Sequence, residues 1–261
     1  MERAEALQRL SELKGRDLRQ LAEELKVTVF KPTTGKLNKG WAGQTVERFL
    51  GLPINSSRSP NLGSWELKVV PLVLKNGQWD VKETMAITML DEYEVKLKEF
   101  HESHLFQKMG KLITVARHWH DRSESRSEVL LCNAFELRKT VLHEGVFRDY
   151  DDIRNAVQNN RPLSGKMGEL IQPRTKGPRG SSSRAFYARK PLVRHFVGLD
   201  ETRTLAEDCV DHAGTSNQEH RTPLDSVMER LPNNQSGRGR HKCPYCAYEV
   251  GYRDGLRAGQ S

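Results

Sequence analysis

Glu66 and Lys68 stand two residues apart in the stretch Ser59-Pro60-Asn61-Leu62-Gly63-Ser64-Trp65-Glu66-Leu67-Lys68-Val69-Val70, inside an otherwise apolar run. If that run is a strand, alternation sends Glu66 and Lys68 to one face and Trp65, Leu67 and Val69 to the other. A carboxylate and an ammonium group then lie side by side on the sheet. Hydrolysis of a phosphodiester with Mg2+ needs carboxylate oxygens to hold the hard cation, and a cation or general base to position the attacking water. Glu66 and Lys68 supply one of each. The arrangement also wants an Asp just before the strand, and this chain has Asn61. A Glu-x-Lys pair alone is common and usually marks an exposed strand face, so the surrounding elements have to decide.

Those elements follow from apolar spacing. Leu7, Leu10 and Leu13, then Leu18, Leu21, Ala22 and Leu25, fall at helical intervals on either side of Gly15, which predicts a helical hairpin. "KGWAGQTVERFLG" predicts a helix that starts at a Gly, ends near Gly51 and carries Glu47. Trp65 to Leu74 reads as a strand, Asn76 to Trp79 as a hairpin turn, and Glu83 to Leu90 as the partner strand, so a meander is expected. Residues 95–109 read as helix, 111–117 and 128–137 as strands, and a further helix is expected to open after Asp149. Strands, hairpins and helices mixed in this way predict an α/β core with a mixed sheet flanked by helices.

The chain has 261 residues, enough for one good core plus an appendage. A formal charge of +8 and a pI near 9.3 favour an anionic partner such as nucleic acid. No apolar run approaches the ~20 residues of a membrane span, and the charged N-terminus is unlike a secretory signal. A cytoplasmic protein without a membrane partner is expected. The most basic stretch is "PRTKGPRGSSSRAFYARKPLVR", with Arg174, Lys176, Arg179, Arg184, Arg189, Lys190 and Arg194 and no acidic residue. Phe186 and Tyr187 sit within it, a mixture suited to phosphate contacts around a base-edge or stacking contact, or to a plain solvated basic loop. Beyond residue 200 the apolar periodicity fades, which sets a boundary between a domain of residues 1–200 and an extension of residues 201–261.

In order along the chain, "NKGWAGQTVERFLG", "LGSWELKVVPL", "HLFQKMGKLITVA" and "RAFYARKPLVRHF" resemble motifs of the MutH family of DNA endonucleases and its GATC-cleaving type II restriction relatives. The resemblance covers roughly residues 15–199 and implies the PD-(D/E)xK nuclease fold, in a bacterial or archaeal cytoplasm or nucleoid. It implies a catalytic set of Glu47, Asn61, Glu66 and Lys68, with position 61 and Glu66 as Mg2+ ligands, Lys68 on the water and Glu47 reaching the metal region from its helix. It also implies double-stranded DNA as partner, with Lys39, Lys108, Arg174, Lys176 and Tyr187 as contacts, to which composition adds Arg184, Arg189 and Lys190. Further partners would be a second copy of the chain or, in a repair enzyme, a mismatch-repair activator protein.

Asn61 is where this chain departs from the family, which has Asp. An amide has the shape of a carboxylate without its charge, so the expected metal site loses an anionic ligand. That implies either an inactivated site or a different one, and a non-cutting DNA-binding protein on a nuclease scaffold stays open beside the endonuclease. In the extension, Cys209-x-x-His212 and Cys243-x-x-Cys246 have the pairwise spacing of a structural zinc site, with His241 as a substitute for His212 and two unrelated thiol pairs as the alternative. Cys132, in an apolar strand, reads as core.

Overall fold

A computed structural model of the chain describes residues 1–52, 59–177 and 180–200. The first helices, α1 (Arg3–Ser11) and α2 (Leu18–Glu24), stand on either side of Gly15 where the spacing predicts them, both feeding one apolar cluster, and Asp17 caps α2 by accepting from the Arg19 amide. Helix α3 (Trp41–Phe49) follows. Strand β1 (Glu66–Lys75) turns through Asn76-Gly77 into β2 (Gln78–Val81). Both turn residues have positive φ, +50° and +78°, as a tight two-residue hairpin requires.

Next come β3 (Met85–Met89), α4 (Glu92–Leu97), a 3-10 turn at Phe100–Glu102 and α5 (His104–Met109). Strands β4 (Lys111–His118) and β5 (Val129–Glu136), a second 3-10 turn at Leu137–Lys139, helix α6 (Leu142–Gln158), strands β6 (Ile171–Thr175) and β7 (Arg184–Ala188), and helix α7 (Lys190–Phe196) complete the described elements.

The strands make two sheets: a mixed one in the order β2-β1-β4-β5, and an antiparallel one in the order β3-β7-β6. In the mixed sheet β1 and β4 are parallel, with Glu66 opposite Leu112. Alternation along these strands splits the core in two. Leu67, Ile113 and Val115 pack against α1, α2 and α3, whereas Val70, Leu72, Leu112 and Ala116 pack against α5, α6, α7 and the second sheet. The expected separation of Leu67 and Val69 from the face of Glu66 and Lys68 therefore holds, with helices on both faces of the sheet.

Three expectations need correction. The segment 83–90 is not the partner of β1: β2 is, while β3 pairs with β7 across a bulge between Ala86 and Thr88. The stretch 95–109 is not one helix. Lys98 is extended, and Ser103 takes the Phe106 amide on its hydroxyl to start α5 afresh, the usual competition of a Ser side chain with a continuing helix. Helix α6 begins at Leu142 rather than after Asp149. Gly145, which reads as a breaker, lies where Leu170 closes on the helix, since a Cβ there would meet Leu170 Cδ1 at 2.7 Å. The boundary near residue 200 and the extension with Cys209, His212, Cys243 and Cys246 lie outside the described residues. None of the described helices is long and apolar enough to cross a membrane.

Candidate active site

The site is built where α3, the turn before β1 and the end of α5 meet. Leu62 and Trp65 exchange both backbone hydrogen bonds, at 2.9 Å each, around Gly63 (φ +60°). This tight turn folds Asn61 back onto the start of β1, where its Oδ1 accepts from the Leu67 amide at 3.3 Å. Helix α3 buries Trp41, Ala42, Thr45 and Val46 and leaves Glu47 half-buried at the turn. Two arginines fix that helix at its C-terminal end. Arg9 donates to the carbonyls of Phe49 and Leu50, and Arg48 donates to those of Leu25 and Lys26.

Asn61 Nδ2 then donates to Glu47 Oε1 at 3.1 Å, a bond an Asp at this position could not donate. Glu66 is buried, and each of its oxygens holds one ammonium group: Lys68 Nζ at 2.7 Å and Lys108 Nζ at 2.9 Å. Lys108 also donates to the Ser59 carbonyl at 2.8 Å. The expected four residues are thus together, and a fifth joins them. The resemblance implies Lys108 as a DNA contact, and in the structure it is buried with its ammonium group on Glu66. The signal that could have found it is topological. Helix α5 leads into β4, the parallel neighbour of β1, so its last turn arrives beside the start of β1.

Burial, and then the negative charge of Glu66, push the Glu47 carboxyl above its ordinary pKa. Lys68, the Asn61 hydrogen bond and Lys108 pull it back only in part. The cluster therefore holds one carboxylate saturated by lysines and a second that is electrostatically uncomfortable when ionised.

The described residues of the basic arm centre on the antiparallel pair β6 and β7, and Arg179 lies outside the described residues. Arg174 is exposed, donates to Thr84 Oγ1 at 2.7 Å and lies 5.2 Å over the Tyr187 ring, so the two expected base-reading residues form one unit. Lys39 and Lys176 are exposed, while Arg184 and Lys190 are partly buried. Arg189 donates to the carbonyls of Gly165 and Met167, and Arg194 is engaged with Asp80 and Asp200. Cys132 is half-buried and its Sγ donates to the Leu10 carbonyl; burial pushes its thiol up to about 11, as expected of an inert thiol.

The family described as "DNA mismatch repair enzyme MutH" matches residues 50–140, a span that includes Asn61, Glu66, Lys68 and Lys108. A DNA mismatch repair protein MutH from Pectobacterium atrosepticum is 26% identical over 219 residues, covering 74% of this chain and 92% of that protein. The protein of the same description from Histophilus somni is 24% identical over 186 residues, covering 70% of this chain and 80% of that protein. The chain is thus similar to MutH proteins over about three quarters of its length. Among solved structures, a restriction endonuclease MvaI in complex with cognate DNA covers 72% of this chain and 97% of its own, at 10% identity and a TM-score of 0.33, a likeness too low to add to the argument. What ties the MutH-type relationship to this structure is position: four of the five clustered side chains fall inside the matched span, and Glu47 reaches them from the helix just before it.

Proposed function

We propose that the chain is a Mg2+-dependent endonuclease of double-stranded DNA whose site is weakened by Asn61. The observation that carries this reading is the convergence of Glu47, Asn61, Glu66, Lys68 and Lys108 from separate elements, linked through Asn61 and Glu66. Glu47, Asn61 and Glu66 offer oxygen donors, the set that a hard cation takes. When bound, Mg2+ supplies positive charge against the phosphate that is attacked. Lys68, held by Glu66 and partly exposed, orients or deprotonates the water. Lys108, bridging Glu66 and the Ser59 carbonyl, fixes the carboxylate and the turn that carries Asn61.

Charge counting explains the weakening. Glu47 and Glu66 oppose Lys68 and Lys108, so with Asn61 the cluster sums to zero and draws a divalent cation less strongly than a net negative cluster would. An Asp at 61 would make it net negative. Asn61→Asp is therefore expected to raise Mg2+-dependent plasmid cleavage by about 10²–10³-fold, the usual worth of one electrostatic group in a catalytic site. Equal rates for the two forms would remove position 61 from the metal site. If neither form cuts while both bind DNA, the non-cutting reading holds. That reading rests on the Asn61 amide already occupying Glu47.

The same digestion separates two modes of cutting. Open circles alone fit a MutH-like nicking enzyme that works with a mismatch-repair activator protein, the reading favoured by relatives covered over 92% and 80% of their length. Linear product fits a type II restriction enzyme, acting as a homodimer or by successive cuts. The extension beyond residue 200, for which a zinc site of Cys209, His212, Cys243 and Cys246 is proposed, is the feature that favours restriction.

A further inference from the structure

At the far end of β4 from the carboxylate cluster, His118, His120 and Glu128 bring one ligand atom each within 4.8 Å of one another. We propose that these three side chains form a second metal site, for a d-block divalent cation such as Zn2+, separate from the nuclease site and from any site in the extension. It is independent of whether the chain cuts DNA.

The geometry comes from the backbone. His118 donates its amide to the Glu128 carbonyl at 2.8 Å, so the end of β4 and the residue before β5 face each other. His120 follows two residues on. Its Nε2 is 2.7 Å from Glu128 Oε2, and His118 Nδ1 is 3.7 Å from the same oxygen. Four ligands around a Zn2+ at the usual bond lengths of about 2.0–2.1 Å are separated from one another by roughly 3.4 Å. The two observed separations straddle that value, so small side-chain rotations suffice.

The donor set selects the metal. Two imidazoles and a carboxylate suit Zn2+ and its d-block neighbours, whereas Mg2+ prefers oxygen alone. Arg126 contacts the other Glu128 oxygen, Oε1, and leaves Oε2 to the histidines; its side chain is 68% exposed and can move aside. The His118 ring is oriented by edge contact with Trp79 at 4.8 Å. The His118 backbone carbonyl accepts from Ser127 Oγ, which holds the strand end from which the ring projects. Three protein ligands leave at least one position for water. The bound ion would clamp the 119–127 connection, which also carries the buried Glu124 and the Ser127 amide that holds Asp17.

The test is Co2+ titration of the metal-free full-length protein in excess Mg2+, comparing the unaltered chain with His120→Ala and Glu128→Gln. His120 is a peripheral side chain, and thermal melts in the absence of metal confirm folding of each variant. The proposal expects one equivalent with weak visible bands and no thiolate charge-transfer absorption, since a cysteine site in the extension would add that absorption. It expects each variant to lose affinity for this equivalent by more than the roughly 10–100-fold typical of an outer-sphere partner. Bound metal should also slow amide exchange across residues 119–127. Binding of only thiolate-ligated Co2+, or an equivalent unchanged in both variants, would overturn the site.

Discussion

Two buried groups of charges lie on the mixed sheet, and they are finished differently. Near the C-terminal end of β4, Arg117 meets Glu124 with two bonds of 2.7 and 3.0 Å, takes Ser127 Oγ at 2.9 Å and lies 5.1 Å over the Trp41 ring. Its one cation and one anion saturate each other. At the start of β1, by contrast, two carboxylates and two lysines share a space in which Glu47 is pushed toward protonation by burial and by Glu66. The first group serves the fold, because every partner it needs is in the chain. The second leaves Glu47 only partly compensated, an imbalance more common at sites for chemistry than in structural ion pairs.

The contrast breaks most visibly through activity. In an Asn61→Asp background, Lys68→Ala should lower cleavage by about 10²–10⁴-fold, the range for losing a group that handles the proton of the attacking water. DNA binding should stay nearly intact in filter or anisotropy assays. Loss of binding instead would make Lys68 a phosphate clamp. Glu124→Ala should do the reverse. It strands a buried guanidinium, costs roughly 3–5 kcal/mol in urea melts, and leaves cleavage per folded molecule unchanged. A smaller loss would mean that Arg117 finds water or another partner.

The same distinction runs through the basic arm. Arg189 is already committed to the carbonyls of Gly165 and Met167, so it serves the fold even if it also meets phosphate. Arg174 projects beside Tyr187 from an exposed strand end. Arg174→Ala is expected to cost roughly 1–3 kcal/mol on a cognate duplex and little on a scrambled one. Lys176→Ala should weaken both alike and reduce the salt slope by about one. Equal losses for Arg174→Ala on both duplexes would make the arm an electrostatic grip and move specificity elsewhere.

Local pattern carried much of this into the sequence, and non-local pairing hid the rest. The alternation from Glu66 to Val70 and the Asn76-Gly77 turn are readable because their causes lie within a few residues. The partner of β3 is about a hundred residues away in β7, and no local feature of "MAITM" names it. Spacing alone offers Glu66 and Lys68, the family resemblance adds Glu47 and position 61, and the structure brings the four together. Lys108 comes from the resemblance as a DNA contact, and only the parallel pairing of β1 and β4, which turns that helix end inward, shows it beside Glu66.

The smallest expected effect is also the sharpest test of how the two charge groups differ. Glu47 has a folded-state pKa above its unfolded value, so the folded chain holds that proton more tightly than the unfolded one. Between the two values the native state binds more protons, and stability therefore falls as pH rises through this window. Below the ordinary carboxylate range Glu47 is protonated in both states and contributes no difference. Glu47→Gln removes the titration, so the variant should match the unaltered chain in acid and melt at a higher temperature at neutral pH. The gain should be modest, because Glu47 is only half-buried and solvent screens part of the repulsion. Mg2+ should shrink it, since a cation favours the ionised carboxylate of the unaltered chain alone. A melting difference that is flat with pH, or that favours Glu47 at neutral pH, would mean that the cluster at β1 is as self-sufficient as Arg117 and Glu124, and that its carboxylates are not waiting for a cation.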